Sequence, residues 1–209
     1  MILLSTAYFP NIQYFSKLAN NEHILIEQHE NYQKKSYRNR CEILGANGVL
    51  TLSVPVEKSS EKIKISEVKI DYSENWQKNH LKALEAAYGL SPFYEFYIDD
   101  IKAIFETKHE KLFYLNKNIL DTLIDIIGID TKIEYSKKFI EIEENENDFR
   151  FSIHPKKKMQ KPDNQFIANK YFQTFFDKFE FIPNLSILDL VFNLGPECLE
   201  YLHKTKKTS

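Results

Sequence analysis

The fold is decided by the first part of the chain, ILLSTAYFPNIQYFSKLANNEHILIEQ (residues 2–28). Ile2 to Tyr8 is a short apolar run typical of a buried strand, and Pro10 stands where a helix can begin. A second apolar run, from His23 to Gln28, follows that helix. This order of strand, helix and strand predicts two parallel neighbouring strands.

The next segment has the pattern of a β-hairpin. Gly45-Ala46-Asn47-Gly48 lies between two strand-like runs, Cys41 to Leu44 and Val49 to Val56, and its Asn-Gly pair favours a tight turn. The second run alternates apolar and polar residues, which indicates one buried and one exposed face. We expect a further strand from Lys62 to Ile70.

The middle of the chain is predicted to be helical. Three helices are expected, from Ser73 to about Tyr88, from Ser91 to about Glu106 and from Lys111 to Ile127. Their apolar residues recur at helical spacing, which is typical of helices that pack against a core. Thr131 to Glu143 then fits a strand, or two strands about a kink.

The C-terminal part begins after an acidic stretch that ends near Asp148. It is expected to hold a short strand from Phe149 to Ile153 and a helix near Phe166 to Phe179. A final helix is predicted after Phe181-Ile182-Pro183-Asn184.

The fold class that follows from these elements is α+β or α/β. A mixed N-terminal sheet with a strand-helix-strand start and a hairpin precedes a helical region and a smaller α/β C-terminal lobe. A length of 209 residues suits one domain across residues 1–209, with possible sub-lobes at 1–147 and 148–209.

Composition and charge argue against several classes of function. A formal net charge of −2 provides no strongly basic face, so DNA binding is not expected, although lysine clusters at 156–158 and 204–207 leave a tRNA partner open. No apolar run approaches the roughly 18 residues of a membrane span, and Met1 to Thr6 lacks the features of a signal peptide. We therefore expect a cytoplasmic protein whose oligomeric state the sequence leaves open.

No metal and no cofactor are expected. The six histidines show no His-x-x-x-His spacing, the two cysteines form no Cys-x-x-Cys pair, and the glycine-rich nucleotide loops are absent. Cys41, beside Arg40, is either a nucleophile or a small buried hydrophobic residue.

Two arginines stand one residue apart in Tyr37-Arg38-Asn39-Arg40-Cys41, in a chain with only three arginines among 28 basic residues. A guanidinium grips a phosphate or carboxylate with a planar pair of donors, which lysine cannot imitate. If residues 37–41 are extended, Arg38 and Arg40 project to one side and hold one anionic ligand. The alternative is that each arginine pairs with a carboxylate of the chain: Glu27, Glu30 or Glu42. Arg150, alone in a later segment, is expected to form a structural ion pair.

A histidine lies on one face of the helix that begins near Ser73. Trp76, His80, Leu84 and Tyr88 follow at intervals of four residues, which places His80 among large rings. His80 is a candidate general base, or a core histidine bonded to a backbone carbonyl. Trp76 and Tyr88 either stack on a ligand or fill the core.

The polar loop after the second strand is a further candidate region, because loops at strand ends commonly carry sites. It includes Tyr32, Lys34 and Lys35. Glu27, at the end of that strand, is a candidate acid, base or orienting group, or one half of a salt bridge to Arg38 or Lys35.

A set of short motifs, in one order along nearly the whole chain, resembles the WbqC-like family of bacterial proteins. The motifs are Ala7-Tyr8-Phe9-Pro10, Tyr37 to Arg40, Leu52 to Val56, Trp76 with His80, Ala87-Tyr88, Ser91 to Tyr94, Ile153 to Lys156 and Phe181 to Leu190. The resemblance implies a role in the biosynthesis of O-antigen and other surface polysaccharides.

That resemblance, together with the paired arginines, favours a transferase that moves an acyl or aminoacyl group onto a nucleotide-linked amino sugar. Arg38 and Arg40 would bind the phosphate or carboxylate, with Tyr37 and Tyr8 beside them. Asn39 would stabilise an oxyanion and His80 would remove the amine proton. The alternative is a non-catalytic binding or scaffold protein for an anionic glycan precursor or a partner enzyme.

Overall fold

The computed structural model describes residues 1–141 and 147–207. Within these residues the chain forms five strands: β1 (Ile2–Ser5), β2 (His23–Glu27), β3 (Arg40–Gly45), β4 (Gly48–Ser53) and β5 (Lys132–Tyr135). It also forms six α-helices: α1 (Ile12–Ala19), α2 (Trp76–Tyr88), α3 (Tyr94–Glu106), α4 (Leu112–Ile127), α5 (Ile187–Leu194) and α6 (Cys198–Lys204). Parallel and antiparallel strands occur together with these helices, which confirms the α+β class.

The three-stranded sheet is parallel and has the strand order β1-β2-β5. Ile2 of β1 lies opposite Ile24 of β2, and Ile24 lies opposite Ile133 of β5. Helix α1 connects β1 to β2, and the side chain of Asn11 caps it by accepting a hydrogen bond from the Tyr14 backbone N–H. The predicted strand-helix-strand unit is confirmed.

Strands β3 and β4 form the predicted hairpin, which runs from the pair Arg40 and Ser53 to the pair Gly45 and Gly48. Gly48 has a φ of 106°, a conformation that glycine adopts without strain and that closes the two-residue loop. Strand β4 ends at Ser53, so it is shorter than the predicted run to Val56.

Helices α2, α3 and α4 confirm the three helices predicted for the middle of the chain. Helix α2 begins at Trp76, three residues later than the predicted start at Ser73. Gly128 ends α4 in the left-handed conformation, at a φ of 76°, and its N–H donates to the Ile124 carbonyl.

The strand predicted from Lys62 to Ile70 is wrong. This segment contains a short 3-10 helix, Ile65–Glu67, and its backbone bonds to several elements instead of one partner strand. The Val68 carbonyl, for example, accepts from the Leu112 N–H at the start of α4. Ile65, which begins the 3-10 helix, and Val68, which follows it, lie three residues apart and are both buried.

The strand predicted from Phe149 to Ile153 is also wrong. Asp148 forms an isolated parallel bridge with Leu3, and the Phe149 N–H donates to the Leu3 carbonyl, so the segment touches the edge of β1. The chain then turns at Arg150, and the guanidinium of this residue donates to the Asp148 carboxylate.

The helix predicted near Phe166 to Phe179 is wrong, since the segment consists of turns and irregular backbone. The side chains of Tyr171 and Gln173 both bond to Asp189 of α5. Residues two apart point away from each other on a helix, so this shared contact excludes the helical conformation. The predicted final helix is confirmed as α5 and α6, which are separated at Gly195-Pro196.

One buried apolar cluster joins β1, β2, the hairpin and all six of these helices. The strand predicted over Thr131 to Glu143 is confirmed where β5 forms, whereas its end at residues 142–143 lies outside the described residues, as does most of the acidic stretch that follows. No helix in the described ranges is long and apolar enough to cross a membrane. The division into sub-lobes 1–147 and 148–209 stays a prediction.

Candidate functional site

The two arginines of the Tyr37 to Cys41 motif have different surroundings. Residues 37–39 lie in a turn, and β3 begins only at Arg40. The extended conformation considered for residues 37–41 is therefore wrong for the first three of them. The turn separates the environment of the Arg38 guanidinium from that of Arg40.

Arg38 is bound by a carboxylate of the chain. Its side chain is 3% exposed, and its Nε and Nη2 donate to the two carboxylate oxygens of Glu30 at 2.8 and 2.5 Å. Nη2 also donates to Ser5 Oγ at 2.8 Å. Of the carboxylates that could neutralise this arginine, Glu30 is the one in place, and it forms the bidentate pair that an external anion would otherwise make.

This ion pair belongs to a buried polar network at the carboxyl ends of the parallel strands. Ser5 Oγ and Arg38 Nη2 both donate to the Arg150 carbonyl, at 3.2 and 3.3 Å. The Arg150 guanidinium lies 2.6 Å from Asp148 and 3.4 Å from Glu27. The expected structural ion pair of Arg150 is confirmed.

Glu27 is fully buried and its two oxygens have several donors. They accept hydrogen bonds from the His29 N–H, the Ser136 hydroxyl and the Ile140 N–H, each at 2.7 Å. Glu27 therefore ties the end of β2 to the segment that follows β5. Its role as an acid, a base or an orienting group in catalysis stays a prediction.

A small cavity lies beside this network. It has a volume of about 20 Å³ and is lined partly by Ser5, Asn11, Tyr37, Arg38 and Arg150. That volume is close to the space of one water molecule. The cavity next to Arg38 is too small for a nucleotide sugar.

Arg40 has no such partner. The residue is half-buried, and its Nε and Nη2 are shielded from solvent yet hydrogen-bond to no group in the described part of the chain. Buried donors without acceptors are costly, and a charged guanidinium is costlier than a neutral amide. Arg40 is thus the guanidinium of the motif whose donors the described residues leave unpaired, and a ligand reaches them only when the groups that shield them move aside.

A wide groove opens beside the motif. Its cavity has a volume of about 750 Å³, within the range of about 300–1,000 Å³ that small-molecule sites occupy. Fifteen residues line it, and we call it the lysine groove: Tyr32, Lys34, Lys35, Asn39, Val56, Glu57, Lys58, Ser59, Ser60, Glu61, Lys62, Ile63, Glu67, Val68 and Lys69.

Asn39 connects the arginine motif to the lysine groove. It lines the groove, and its Nδ2 donates to the Val54 carbonyl at 2.9 Å. Burial raises the pKa of Tyr32, another lining residue, to about 12, and the nearby charges of Arg40 and Arg38 act in the opposite direction. The charge of Arg40 therefore acts on Tyr32, although Arg40 itself does not line the groove.

His80 lies in the interior, next to Tyr8. The Tyr8 hydroxyl is 2.7 Å from His80 Nδ1, and the ring of Trp76 packs edge-on at 5.3 Å. Burial lowers the pKa of His80 to about 4, while the Ser53 backbone carbonyl has the opposite effect. The imidazole is neutral at pH 7 and contacts the Tyr8 hydroxyl and the Ser53 backbone, as the core interpretation expects. Its role as a general base stays a prediction.

The other aromatic candidates are buried as well. The Tyr37 hydroxyl donates to Glu42 at 3.1 Å, and the Tyr88 hydroxyl donates to Asp189 at 3.0 Å. Trp76 Nε1 is buried and makes no hydrogen bond within the described residues. None of Tyr37, Tyr88 and Trp76 lines the lysine groove, so their contact with a ligand stays a prediction.

Cys41 is a buried residue of β3 with 1% exposure. Burial raises the pKa of its thiol, and the neighbouring Glu42 carboxylate adds to that effect. A protonated thiol is a poor nucleophile, so the geometry favours the small-hydrophobe interpretation. The described residues contain no cluster of three or more His, Cys, Asp and Glu side chains that could hold a metal ion.

The comparison with known proteins agrees with the ordered motifs. The sequence model of the WbqC-like protein family matches residues 6–174. The chain belongs to the WbqC-like family. It is also 27% identical, over 96% of this chain and 96% of the relative, to "Uncharacterized protein Rv1507c" of Mycobacterium tuberculosis (strain ATCC 25618 / H37Rv). No solved structure matches the chain.

Only one wall of the lysine groove of this WbqC-like protein was predicted from the sequence. The loop with Tyr32, Lys34 and Lys35 was a candidate because it follows a strand. The second wall, residues 57–63, had no motif of its own. The Tyr32 N–H donates to the Ile63 carbonyl at 2.8 Å, and this long-range bond brings the two segments together. The lysines on either side of Ser59-Ser60 were the available signal.

Proposed function

We propose that this chain binds an anionic precursor of a bacterial surface polysaccharide such as O-antigen, specifically a nucleotide-linked amino sugar, in the lysine groove beside Arg40. Membership of the WbqC-like family supports the biosynthetic setting. The groove has the volume of a small-molecule site and an excess of basic side chains.

The observation that carries the proposal is the free guanidinium of Arg40. Nε and Nη2 point along one edge of the guanidinium plane, the edge that makes bidentate contacts with phosphates and carboxylates. In the described residues no acceptor occupies it. A phosphate oxygen of the ligand would satisfy both donors once the neighbouring side chains that shield them move aside.

The first test is to ask which ligand the purified chain retains. Native mass spectrometry after incubation with a panel of nucleotide-linked sugars should show a retained amino sugar derivative. The variant Arg40→Lys keeps the charge and removes the planar pair of donors. Its affinity for that compound should be lower by about 1–3 kcal/mol, measured by calorimetry. An affinity equal to that of the wild type would remove Arg40 from the site.

A transferase is the second candidate, in which an acyl or aminoacyl group moves to the amine of the bound sugar. The imidazole of His80 is unprotonated at neutral pH, as a general base must be, although burial, which lowers its pKa to about 4, also makes it a weak base. Asn39 would stabilise the oxyanion and Glu27 would orient the reacting groups. All three side chains would first have to exchange their present partners.

The substitution His80→Gln separates the two candidates. The transferase requires that turnover, followed as product mass with acyl or aminoacyl donors, falls while sugar binding is retained. Unchanged turnover would remove His80 from the mechanism. If no donor gives a product with the wild-type chain, the binding function alone remains.

A further inference from the structure

We infer that four lysines on the two walls of the lysine groove, Lys34 and Lys35 on one and Lys58 and Lys62 on the other, bind the two phosphates of the nucleotide-linked ligand. This inference rests on the proposed function and deepens it. It adds these four lysines to Arg40 as the groups that hold the diphosphate.

The charges of the groove support this assignment. Its lining contains five lysines and three glutamates, an excess of two positive charges. Lys69 is paired with Glu110 at 2.9 Å. The other four lysines are exposed and form no salt bridge within the described residues. An ammonium group acts as a compact point charge, and phosphate groups are a common partner for it.

The two walls are fixed to each other at their bases. The Tyr32 N–H donates to the Ile63 carbonyl at 2.8 Å, and the Ile65 N–H donates to the Glu30 carbonyl at 2.9 Å. Glu30 is in turn held by Arg38. Arg38 is therefore a positioning residue, because its guanidinium anchors the loop that displays Lys34 and Lys35.

Lys35 has an unusual backbone conformation. Its φ is 61°, in the left-handed region that residues with a Cβ adopt at a cost. The Ser36 hydroxyl donates to the Gln33 carbonyl at 2.7 Å and closes the turn around it. Strained backbone that the surrounding structure maintains is concentrated at ligand sites. Glycine would be the unstrained residue at this position, so the chain carries the lysine side chain here at a cost in stability.

A double variant with a matched control tests whether the four lysines bind phosphate, an arrangement that we call the lysine clamp. Lys58→Gln with Lys62→Gln removes two charges from the groove wall. Lys78→Gln with Lys82→Gln removes two charges, also four residues apart, from the exposed face of α2. With inorganic pyrophosphate as the probe in calorimetry, the groove variant should bind at least about tenfold more weakly than the wild type. The control variant should bind as the wild type does.

The variant Lys35→Gly adds a second readout. It retains the left-handed backbone and removes the charge, so the midpoint of thermal unfolding should stay equal or rise. Affinity for pyrophosphate should fall at the same time. A loss of binding without a loss of stability cannot come from misfolding.

The outcomes separate this inference from the proposed function. If the wild type does not bind pyrophosphate, or the groove variant binds it as tightly as the wild type, the lysine clamp is overturned. An equal loss in the control variant would indicate an unspecific charge effect and would overturn it too. In each case retention of a nucleotide-linked amino sugar by the wild type would leave the proposed function standing, and its absence would refute that function.

Discussion

Arg38 and Arg40 are separated by a single residue in the chain, yet their surroundings are entirely different. The sequence predicted that guanidiniums at this motif hold carboxylate or phosphate groups, and for Arg38 that group is Glu30. The other two candidate carboxylates, Glu27 and Glu42, take other partners. Composition and spacing could not choose among them, because the choice depends on how the turn at residues 37–39 directs the side chain.

The buried pair of Arg38 and Glu30 should be important for folding. Arg38→Gln leaves the Glu30 carboxylate buried without its partner, which destabilises a protein by about 3–5 kcal/mol. The free energy of unfolding, from urea titration, is the measurement. Lys102→Gln, which breaks an exposed pair with Asp99, is the control and should change little. If Arg38→Gln had the same urea midpoint as the wild type, another contact would have to hold the loop with Lys34 and Lys35.

His80 should make the fold sensitive to acid. Its pKa is about 4 in the folded chain and about 6.5 when unfolded, so the unfolded chain binds the proton first as the pH falls. The contribution of neutral His80 to the free energy of unfolding is on the order of 3 kcal/mol. It is fully present above pH 6.5 and is lost progressively as the pH falls towards 4.

The measurement is the unfolding free energy as a function of pH for the wild type and for His80→Gln. Glutamine can still accept the hydrogen bond from Tyr8. The variant should therefore lose less stability than the wild type between pH 6.5 and 4. His23→Gln, at an exposed position on β2, is the matched control. Parallel curves for the wild type and His80→Gln would mean that the imidazole is already solvated.

For helices and strands, the periodicity of apolar residues correctly predicted those elements whose conformation depends on local spacing. The strand-helix-strand start, the hairpin and helices α2 to α4 each carry a repeat of two or of three to four residues, and each formed. The segments 62–70 and 166–179 also carry regular apolar spacing, yet they bond to several separate elements. Their conformations depend on long-range partners such as Leu112 and Asp189, which a local pattern does not contain.

Asp189 should hold the irregular segment 166–182 against α5. Its carboxylate accepts hydrogen bonds from Tyr171, Gln173 and Tyr88, at 2.5, 3.0 and 3.0 Å. Asp189→Ala should release this segment, which hydrogen exchange would register as faster exchange at residues 166–182 with α1 to α4 unaffected. Asp177→Ala, at an exposed position of the same segment, is the control. Unchanged exchange in Asp189→Ala would mean that apolar packing alone holds the segment.

At the scale of the whole molecule, charge bears on the class of partner. The formal net charge is −2, and the basic residues of the lysine groove surround a cavity of about 750 Å³ rather than an extended face. This arrangement suits a small anion better than a polynucleotide. We expect no binding of tRNA at low salt in a filter or mobility assay. Tight binding that weakens steeply with salt would instead favour the RNA partner that the lysine clusters leave open.

The candidate site was only partly predictable because it is assembled from distant parts of the chain. Asn39, Arg40 and the loop with Lys34 and Lys35 stand close together in the sequence, and composition alone marked them. Lys58 and Lys62 are brought to the same groove by the backbone hydrogen bond between Tyr32 and Ile63, which lie more than thirty residues apart in the chain. The ion pair of Arg38 with Glu30 and the burial of His80 likewise depend on contacts in the folded chain, which the sequence does not reveal.

The central claim is that Arg40 and the lysine groove hold the phosphates of a nucleotide-linked amino sugar. The most direct measurement is a crystal structure of the chain with the sugar nucleotide that mass spectrometry shows to be retained. The account predicts phosphate density in the groove, within hydrogen-bonding distance of Arg40 Nε or Nη2. Density for the ligand at another surface, with the Arg40 guanidinium still unpaired, would contradict it.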